Sequence, residues 1–383
     1  MITDGIYFKN FYLKKKTTDI RKKLNLILGE NNHIIQSLKS NYKDEYKKKD
    51  IKKFRNILNF RVIGMGGSIL GTQAIYDFLK NKIYKNFSFI NNLQPNSQSN
   101  KKKYLNFVVS KSGNTIETIL NSNIYIKKKD QNIFITENKD NYLRVLANKL
   151  KAKIVNHNNF IGGRYSVLSE VGMLPADLMG LSPVKFRQFN NLIKNKKFLN
   201  ALIENVSSKL FFIKKKKYNS IIINYDQDSK NFFSWYQQLI AESLGKNKKG
   251  LLPIISNMPK DNHSVMQFYL DGLKNNFYTF FYVHDKRSTK IKNKSIHSKM
   301  KFLKDKSLND ILYSQKKASE AVFKEKKLPF RSFEIFKRDE KTLGELFTFF
   351  ILETILLAKA LKINPYNQPA VELIKKKTKK ILI

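Results

Sequence analysis

The sequence predicts an α/β protein with a parallel sheet, because short apolar strand-like segments alternate with segments of helical periodicity. In addition, loops rich in glycine and hydroxyl side chains follow two of the predicted strands and precede a helix. In an open parallel sheet such loops lie at the carboxyl ends of the strands, where ligands bind. The predicted strands are Phe60–Ile63, Phe87–Ile90, Tyr104–Val109, Asn132–Thr136, Ala152–Val155, Ser220–Asn224, Phe277–Val283 and Ser332–Phe336.

The length of 383 residues suits two domains with separate cores. We expect a mostly helical, polar N-terminal segment at 1–58, a first domain at 59–182 and a second domain with C-terminal helices at 183–383. Ser182 and Pro183 mark the change from one domain to the next. The predicted helices that matter for the argument are Ile69–Leu79, the helix after the Ser110 stretch, Phe232–Leu244, Leu343–Ile363 and Ala370–Lys380.

Composition excludes several kinds of chemistry. The chain has no cysteine, which excludes disulfides and thiolate catalysis, and its five histidines lack the spacing of metal ligands. Met1–Lys16 lacks the apolar core of a secretory signal. Four charged residues interrupt the most apolar stretch, Leu343–Ile363, so its uncharged runs fall far below the ~20 residues of a membrane span. We therefore expect a soluble, cytoplasmic protein with no membrane partner.

The formal net charge is +43, and its distribution decides what it implies. Lysines occur in runs along the whole chain, such as Lys47–Lys49, Lys127–Lys129 and Lys214–Lys217, rather than in one stripe or tail. Charge of this kind favours weak, salt-sensitive adhesion to polyanions. Because no known nucleic-acid-binding module accompanies it, we expect no specific nucleic-acid partner.

The strongest chemical signal is the stretch Ser110–Thr118, called the Ser110 loop below, which lies between a predicted strand and a predicted helix. Its relevant groups are the hydroxyls of Ser110, Ser112 and Thr115, the ammonium of Lys111, the flexible Gly113 and the carboxylate of Glu117. A helix start offers orphan N–H groups and the positive end of the helix dipole, so this loop is suited to a phosphate dianion, although Glu117 does not favour one. The alternative is an ordinary well-capped helix.

A second glycine-rich turn, Gly64–Ser68, follows the strand Phe60–Ile63. A dinucleotide site would need a third glycine where Ile69 stands and an acidic residue after the next strand, and both are missing. A P-loop would need Gly-Lys-Ser/Thr, which is also missing. Gly67 and Ser68 therefore fit better as a second contact for the ligand of the Ser110 loop.

Two further segments carry candidate catalytic groups. Arg164 follows two glycines and precedes a helix start, so it is either a surface charge or a fixed anion clamp. Gln238 and Glu242 are four residues apart and share one face of a predicted helix. The alternative for Glu242 is a surface ion pair with Lys246, which also lies four residues away.

The remaining candidates are individually weak. His263 lies at a predicted helix start, where a single histidine more often has a capping or surface role. Gln368, Glu372 and Lys375 occupy neighbouring faces of the last helix, but Lys375 is one of many lysines. These residues indicate a function only when they are considered together with the order in which all the motifs occur.

Taken together and in order, the motifs resemble those of the phosphoglucose isomerase family, within the sugar-isomerase (SIS) superfamily. The resemblance covers the chain from about Val62 to Lys375. The Ser110 loop alone indicates only a sugar-phosphate-binding module, which regulators and amidotransferases share. The matching motifs are Gly-Gly-Ser68, Ser-Lys-Ser-Gly-Asn-Thr-Ile-Glu-Thr118, Gly-Gly-Arg-Tyr-Ser166, Gln-Leu-Ile-Ala-Glu-Ser-Leu-Gly-Lys246, Asn-His-Ser264 and Asn-Gln-Pro-Ala-Val-Glu-Leu-Ile-Lys375.

The resemblance implies two unequal, doubly wound SIS-type domains with flanking helices, and a homodimer. It implies that Glu242 is the base that moves a proton between C1 and C2, and that Arg164 stabilises the cis-enediolate. His263, contributed by the neighbouring subunit, and Lys375 would assist ring opening. The sugar phosphate would be bound by Gly67, Ser68, Ser110, Lys111, Ser112 and Thr115, with Glu117, Gln238 and Gln368 as supporting contacts.

We therefore expect reversible isomerisation of glucose 6-phosphate and fructose 6-phosphate, as in glycolysis and gluconeogenesis, without a metal or redox cofactor. The alternatives are an isomerase that also acts on mannose 6-phosphate and a sugar-phosphate-sensing binding protein, which would not need Glu242 or Arg164. The chain departs from the family pattern in being shorter than many members and in having Ile374 where a glycine often precedes the lysine.

Overall fold

The computed structural model describes residues 1–13, 15–94, 103–285, 287–292, 294 and 296–383. Within them, the strands form two five-stranded sheets. The first sheet consists of β2 (Asn59–Gly64), β3 (Asn86–Ile90), β4 (Leu105–Val109), β5 (Gln131–Thr136) and β6 (Lys153–Asn156). Its strand order is β3-β2-β4-β5-β6, and all of its strands are parallel. This sheet is the parallel arrangement that the sequence predicts.

The second sheet consists of β1 (Ile6–Lys9), β7 (Asn219–Asn224), β8 (Leu252–Asn257), β9 (Asn276–Val283) and β10 (Phe330–Ile335). Its strand order is β1-β10-β9-β7-β8. Four strands are parallel, while β1 pairs with β10 in the antiparallel sense. The predicted α/β class with two parallel-sheet cores is therefore confirmed, with one antiparallel edge strand added.

The described helices surround both sheets. They are α1 (Thr18–Gly29), α2 (His33–Ser37), α3 (Lys48–Ile51), α4 (Leu70–Phe78), α5 (Ile116–Tyr125), α6 (Tyr142–Lys149), α7 (Glu170–Leu178), α8 (Pro183–Phe186), α9 (Phe189–Leu192), α10 (Lys196–Lys214), α11 (Lys230–Leu244), α12 (Met266–Asp271), α13 (Leu308–Glu325), α14 (Glu340–Leu361) and α15 (Pro369–Leu382). Among them, α4, α11, α14 and α15 lie within a few residues of their predicted bounds.

Two strands lie where the sequence analysis placed none. β1 is only four residues long and belongs to the segment 1–58, which we expected to be mostly helical. It joins the second sheet because Phe8 packs on Phe333 of β10, with ring centroids 4.5 Å apart. β8 contains Pro253, which disfavours a central strand but is tolerated at the sheet edge where β8 lies. The domain boundaries 1–58, 59–182 and 183–383 stay a prediction.

The core beside the second sheet is organised around α14. This helix is buried on every side from Thr342 to Ala358, as expected for a helix that is apolar on nearly all sides. Gly344 permits this packing, because a Cβ there would lie 1.9 Å from the carbonyl oxygen of Phe186. Long apolar helices raise the question of a membrane span, but in the described part of the chain no helix combines the length and apolar character that crossing a bilayer requires.

The topology brings the two predicted ligand loops to one edge of the first sheet. β2 and β4 are parallel neighbours, with Gly64 opposite Val109 at their carboxyl ends. The glycine turn after β2 and the Ser110 loop after β4 therefore begin side by side. This is the position at which an open α/β sheet binds ligands.

Candidate active site

The glycine turn after β2 forms the junction between the first sheet and the catalytic candidates. A Cβ on Gly67 would lie 2.1 Å from the carbonyl carbon of Gly163 and 2.4 Å from the backbone nitrogen of Arg164. Gly66 has φ +52°, and a Cβ there would lie 2.7 Å from Nε2 of Gln238. Glycine thus allows the turn to contact both the Arg164 segment and the helix that carries Gln238. Ser68 is buried in the same turn.

The Ser110 loop closes on itself at the start of α5. The hydroxyls of Ser110 and Thr115 are 2.9 Å apart, and the N–H of Gly113 donates to Ser110 Oγ at 3.2 Å. Gly113 has φ +66° and lies against Asn141, whose Oδ1 would be 1.9 Å from a Cβ there. α5 begins at Ile116 without a side-chain cap from Thr115. The Thr115 hydroxyl therefore does not compete with an anion for the first N–H groups of the helix.

The other predicted contacts of this loop have different surroundings. The Lys111 ammonium donates to the carbonyl of Asn159 at 2.8 Å and lies 3.3 Å from a carboxylate oxygen of Glu137. Ser112 is exposed, and its hydroxyl accepts from a neighbouring backbone N–H. Glu117 is half-buried in the first turn of α5. Lys111 is thus directed towards the loops that follow β5 and β6.

Arg164 links α11 to the segment that precedes α15. Its guanidinium is almost completely buried and makes five hydrogen bonds, equal to its number of N–H donors. Nε donates to Ser243 Oγ at 2.8 Å, Nη1 donates to Glu242 Oε2 at 3.2 Å and to Gln368 Oε1, and Nη2 donates to the carbonyls of Pro365 at 2.6 Å and Asn367 at 3.2 Å. Because every donor has a partner, the guanidinium has a fixed orientation.

Glu242 is held from both sides but remains accessible. Its Oε1 accepts from Gln238 Nε2 at 2.8 Å, and its Oε2 pairs with Arg164. The side chain of Glu242 is 29% exposed. A surface pair with Lys246 is not the arrangement observed, since Lys246 Nζ donates to the Asn364 carbonyl and to Asn367 Oδ1. The sequence expectation that Gln238 and Glu242 share one helix face agrees with their hydrogen bond.

Charge around Glu242 favours an anionic ligand. Burial and then the charge of Arg164 lower the pKa of Lys246 to about 8, while Glu242 opposes this shift. At neutral pH two cations therefore face one carboxylate at this end of α11. A negative charge that develops on a bound substrate would meet a net positive surrounding.

Sequence reasoning missed the residues that support Arg164. Ser243 accepts from Arg164, and its Oγ lies 2.9 Å from the hydroxyl of Tyr165, which also donates to the Pro365 carbonyl at 3.1 Å. Trp235 Nε1 donates to the backbone carbonyl of Arg164 at 3.0 Å. The only signal in the sequence was the position of Tyr165 and Ser243 next to a predicted catalytic residue.

Two predicted catalytic residues lie apart from this cluster. His263 is exposed in a short 3₁₀ turn, and Lys375 on α15 is 60% exposed and pairs with Glu372 at 2.8 Å. No hydrogen bond or ion pair between described residues joins either side chain to Arg164 or Glu242. In the described part of the chain α15 has no buried residue, and its packing there does not direct Lys375 into the site. Their catalytic roles stay predictions.

Comparison with known proteins places this chain in a family. The family model described as phosphoglucose isomerase matches residues 13–257. A glucose-6-phosphate isomerase from Methanocaldococcus jannaschii is 34% identical over 353 residues, covering 87% of this chain and 85% of the relative. A glucose-6-phosphate isomerase from Mycoplasmopsis pulmonis is 34% identical over 352 residues, covering 84% of this chain and 82% of the relative.

Solved structures show the same fold. A hypothetical protein from Thermus thermophilus has a TM-score of 0.81 at 21% identity, covering 96% of this chain and 94% of its own. A glucose-6-phosphate isomerase from Chlamydia trachomatis has a TM-score of 0.77 at 17% identity, covering 99% of this chain and 89% of its own. The fold, the family model and the identity to the curated relatives agree. The chain belongs to the phosphoglucose isomerase family.

Proposed function

We propose that this chain catalyses the reversible isomerisation of glucose 6-phosphate and fructose 6-phosphate through a cis-enediolate. The observation that carries the proposal is the Glu242 carboxylate, held between Gln238 and the buried Arg164 and still 29% exposed. The reaction needs a base that moves a proton between adjacent carbons and a cation near the developing oxyanion. Glu242 and Arg164 supply these two groups as one ion pair.

The proposed proton transfer uses the accessible part of Glu242. The carboxylate takes a proton from C2 of the open-chain aldose and returns it to C1, and the hydroxyl proton passes from O2 to O1, which gives the ketose. Arg164 acts as a fixed positive charge, because its orientation is set by Ser243 and by the carbonyls of Pro365 and Asn367. A cation held in this way stabilises the enediolate without reorganising during the reaction.

The proposed phosphate anchor is the Ser110 loop together with the glycine turn. The hydroxyls of Ser110 and Thr115 lie at the start of α5, which has no side-chain cap from Thr115, and the ammonium of Lys111 lies beside Asn159 and Glu137. Gly67 and Ser68 connect this anchor to the Arg164 segment through the close approach at Gly163. The anchoring residues in the proposal are Gly67, Ser68, Ser110, Lys111, Ser112 and Thr115, supported by Glu117, Gln238 and Gln368.

Ring opening is assigned to His263 and Lys375 within a homodimer. His263 is exposed in the isolated chain, which suits a residue that completes the pocket of a neighbouring subunit. α15, which carries Lys375, is exposed along its whole length. Its position can therefore change when subunits associate. A role in glycolysis and gluconeogenesis, and with it a cytoplasmic location, belongs to the same proposal.

The test is purified protein incubated with fructose 6-phosphate, with a coupled assay for glucose 6-phosphate and NMR detection of deuterium incorporation at C1. We expect both product formation and exchange. Binding of fructose 6-phosphate without either would indicate the sugar-phosphate-sensing alternative. A parallel assay for mannose 6-phosphate distinguishes a dual-specificity enzyme, which would form both aldoses.

A further inference from the structure

We propose that Lys246 is a positioning residue for the isomerase reaction. Lys246 binds the C-terminal loop (Asn364–Gln368) to the end of α11. In this way it holds the Arg164–Glu242 pair in its reactive geometry. This inference rests on the proposed function and extends it by one residue. Between described residues, no hydrogen bond joins Lys246 to either partner of that ion pair. Lys246 acts through the C-terminal loop, to which both Lys246 and Arg164 donate hydrogen bonds.

The contacts of Lys246 are specific. Its Nζ donates to the carbonyl of Asn364 and, at 3.1 Å, to Oδ1 of Asn367. Gly245 and Lys246 follow directly after the last turn of α11, one helical turn beyond Glu242. The C-terminal loop is thereby tied to the helix that carries the proposed base.

Arg164 also binds the C-terminal loop through its own hydrogen bonds. Its Nη2 donates to the carbonyls of Pro365 and Asn367, and its Nη1 bonds both Gln368 and Glu242. Displacement of the loop would therefore remove three of the five acceptors that fix the guanidinium. The orientation of Arg164 towards Glu242 consequently depends on where the loop is held, and Lys246 holds it.

The charges around Lys246 make this contact sensitive to pH. Arg164, from the segment packed against it, opposes protonation of the ammonium, whereas Glu242 on its own helix favours it. Burial, which is the largest cause, and the charge of Arg164 outweigh the effect of Glu242 and lower the pKa of Lys246 to about 8. The charge-assisted bonds are therefore complete below this pH and weaken above it, since a neutral amine donates more weakly.

The chain provides a matched control in the same turn. Lys249 donates to the carbonyl of Leu361 at 3.2 Å, which is the end of α14 rather than the C-terminal loop. A Lys249→Met variant removes one lysine–carbonyl contact of similar chemistry, from a side chain that is more exposed than Lys246. It leaves the bonds to Asn364 and Asn367 in place.

The experiment compares Lys246→Met, Lys246→Arg and Lys249→Met with the wild type, measuring kcat, KM and the pH profile on fructose 6-phosphate. We expect Lys246→Met to lose ~10- to 100-fold in kcat, because small misplacement of catalytic groups is costly. KM should change less than about twofold, since the Ser110 loop and the glycine turn, which form the proposed phosphate anchor, follow strands of the first sheet, and only the supporting contact Gln368 lies on the C-terminal loop. Lys246→Arg should recover most of kcat and lose any decline of the wild-type rate above pH 8, because arginine stays charged.

The outcomes that overturn the proposal are equally specific. A Lys246→Met enzyme with wild-type kcat, an arginine variant no better than methionine, or an equal loss in Lys249→Met would each reject a positioning role. Failure of the proposed function is recognised separately, because the wild type would then form no product. In that case hydrogen exchange decides: amides of the C-terminal loop should exchange faster in Lys246→Met than in Lys249→Met, and equal rates would reject the proposal.

Discussion

At the scale of single residues, Glu242 and Arg164 act as one unit. The carboxylate has one oxygen on Gln238 and the other on Arg164, so its position is set while part of its surface stays open. Helical spacing predicts the Gln238–Glu242 pair, because residues four apart share a face. The pair with Arg164 joins residues 78 positions apart and could not be read from local spacing.

We predict that Glu242→Gln loses about 10²–10⁴-fold in kcat, the usual contribution of a general base. The amide keeps the shape of the side chain but cannot accept and return the proton. Substrate affinity should change little, because the proposed phosphate anchor, the Ser110 loop and the glycine turn, is on other elements. Deuterium exchange at C1 of fructose 6-phosphate measures the proton step directly. Glu325→Gln, an exposed substitution at the end of α13, is the control and should exchange at the wild-type rate.

Near wild-type exchange in a folded Glu242→Gln protein that binds substrate would exclude Glu242 as the base. It would also exclude a role for the Arg164–Glu242 pair in proton transfer. Far-UV circular dichroism of both variants establishes that the comparison is between folded proteins.

At the scale of elements, the close approach of two glycine turns positions the site. The backbone of Gly67 lies against Gly163 and Arg164 with no room for a side chain. The sequence predicts that the glycines of the turn after β2 serve a ligand. The structure adds that Gly67 first serves the packing of one turn on another, which brings the first sheet to Arg164.

We predict that Gly67→Ala lowers kcat/KM by about 10²-fold or more, because the added Cβ forces the two turns apart and moves Arg164. The free energy of unfolding should fall by about 1–3 kcal/mol, the usual cost of overpacking. Gly29→Ala is the control: among the described residues, no atom outside its chain neighbours and its own helix backbone lies within 4 Å of the position of its Cβ. Steady-state kinetics and urea denaturation of both variants check the prediction, which would be wrong if Gly67→Ala kept wild-type kinetics.

A second element-scale feature is the buried ionic network beneath the second sheet. Glu353 on α14 pairs with Arg331 of β10 and with Lys209 of α10 at 2.9 Å, and all three side chains are fully buried. Burial opposes ionisation of Glu353, but the two cations outweigh it and lower its pKa to about 2. Burial and the charge of Arg331 lower the pKa of Lys209 to about 7.

We predict that Glu353→Gln destabilises the protein by about 3–5 kcal/mol, because it leaves Arg331 and Lys209 buried without a counter-charge. The control on the same helix is Glu345→Gln. Burial raises the pKa of Glu345, and its hydrogen bond is to the hydroxyl of Thr3, so this change should cost much less. Urea denaturation at neutral pH measures both, and equal destabilisation would contradict the prediction.

The pH dependence of this contribution has a definite sign. The folded pKa of Glu353, about 2, lies below its ordinary value of 4.5, so the unfolded state binds the proton more readily. Its contribution to the free energy of unfolding is therefore complete above pH 4.5 and is lost as the pH falls towards 2. This part of the acid sensitivity should be missing in Glu353→Gln.

At the scale of the whole molecule, the single chain leaves the proposed site incomplete. His263 and Lys375 are exposed and apart from the Arg164 cluster. A second subunit offers the simplest way to bring His263 to a pocket, because a symmetric dimer places the same surface of each chain on its partner.

We predict that mixing inactive His263→Ala with inactive Glu242→Gln restores activity, since a hybrid dimer contains one site with both residues intact. Random pairing of equal amounts should give roughly a quarter of the wild-type activity. Each variant incubated alone is the control. Absence of recovery, after mass spectrometry has demonstrated subunit exchange, would count against a site shared between subunits.

Sequence alone determined what depends on local patterns. Alternating apolar and helical segments predicted the parallel sheets, and glycine and hydroxyl residues after strands predicted the ligand loops. The order of the motifs predicted the family, which the comparisons confirm. Weak local signals did not predict two of the strands. The four-residue β1 and the proline-containing β8 form because they pair with neighbouring strands, and β1 also packs against aromatic rings.

Only the tertiary structure decided the contacts between residues far apart in the chain. It showed that Arg164 is buried and fully bonded, that Ser243 and Tyr165 support it, and that Lys246 binds the C-terminal loop instead of Glu242. The physical reason is that a side-chain hydrogen bond depends on distance and burial in three dimensions. Sequence specifies which groups can donate or accept, and the packing of the two sheets selects which of them meet.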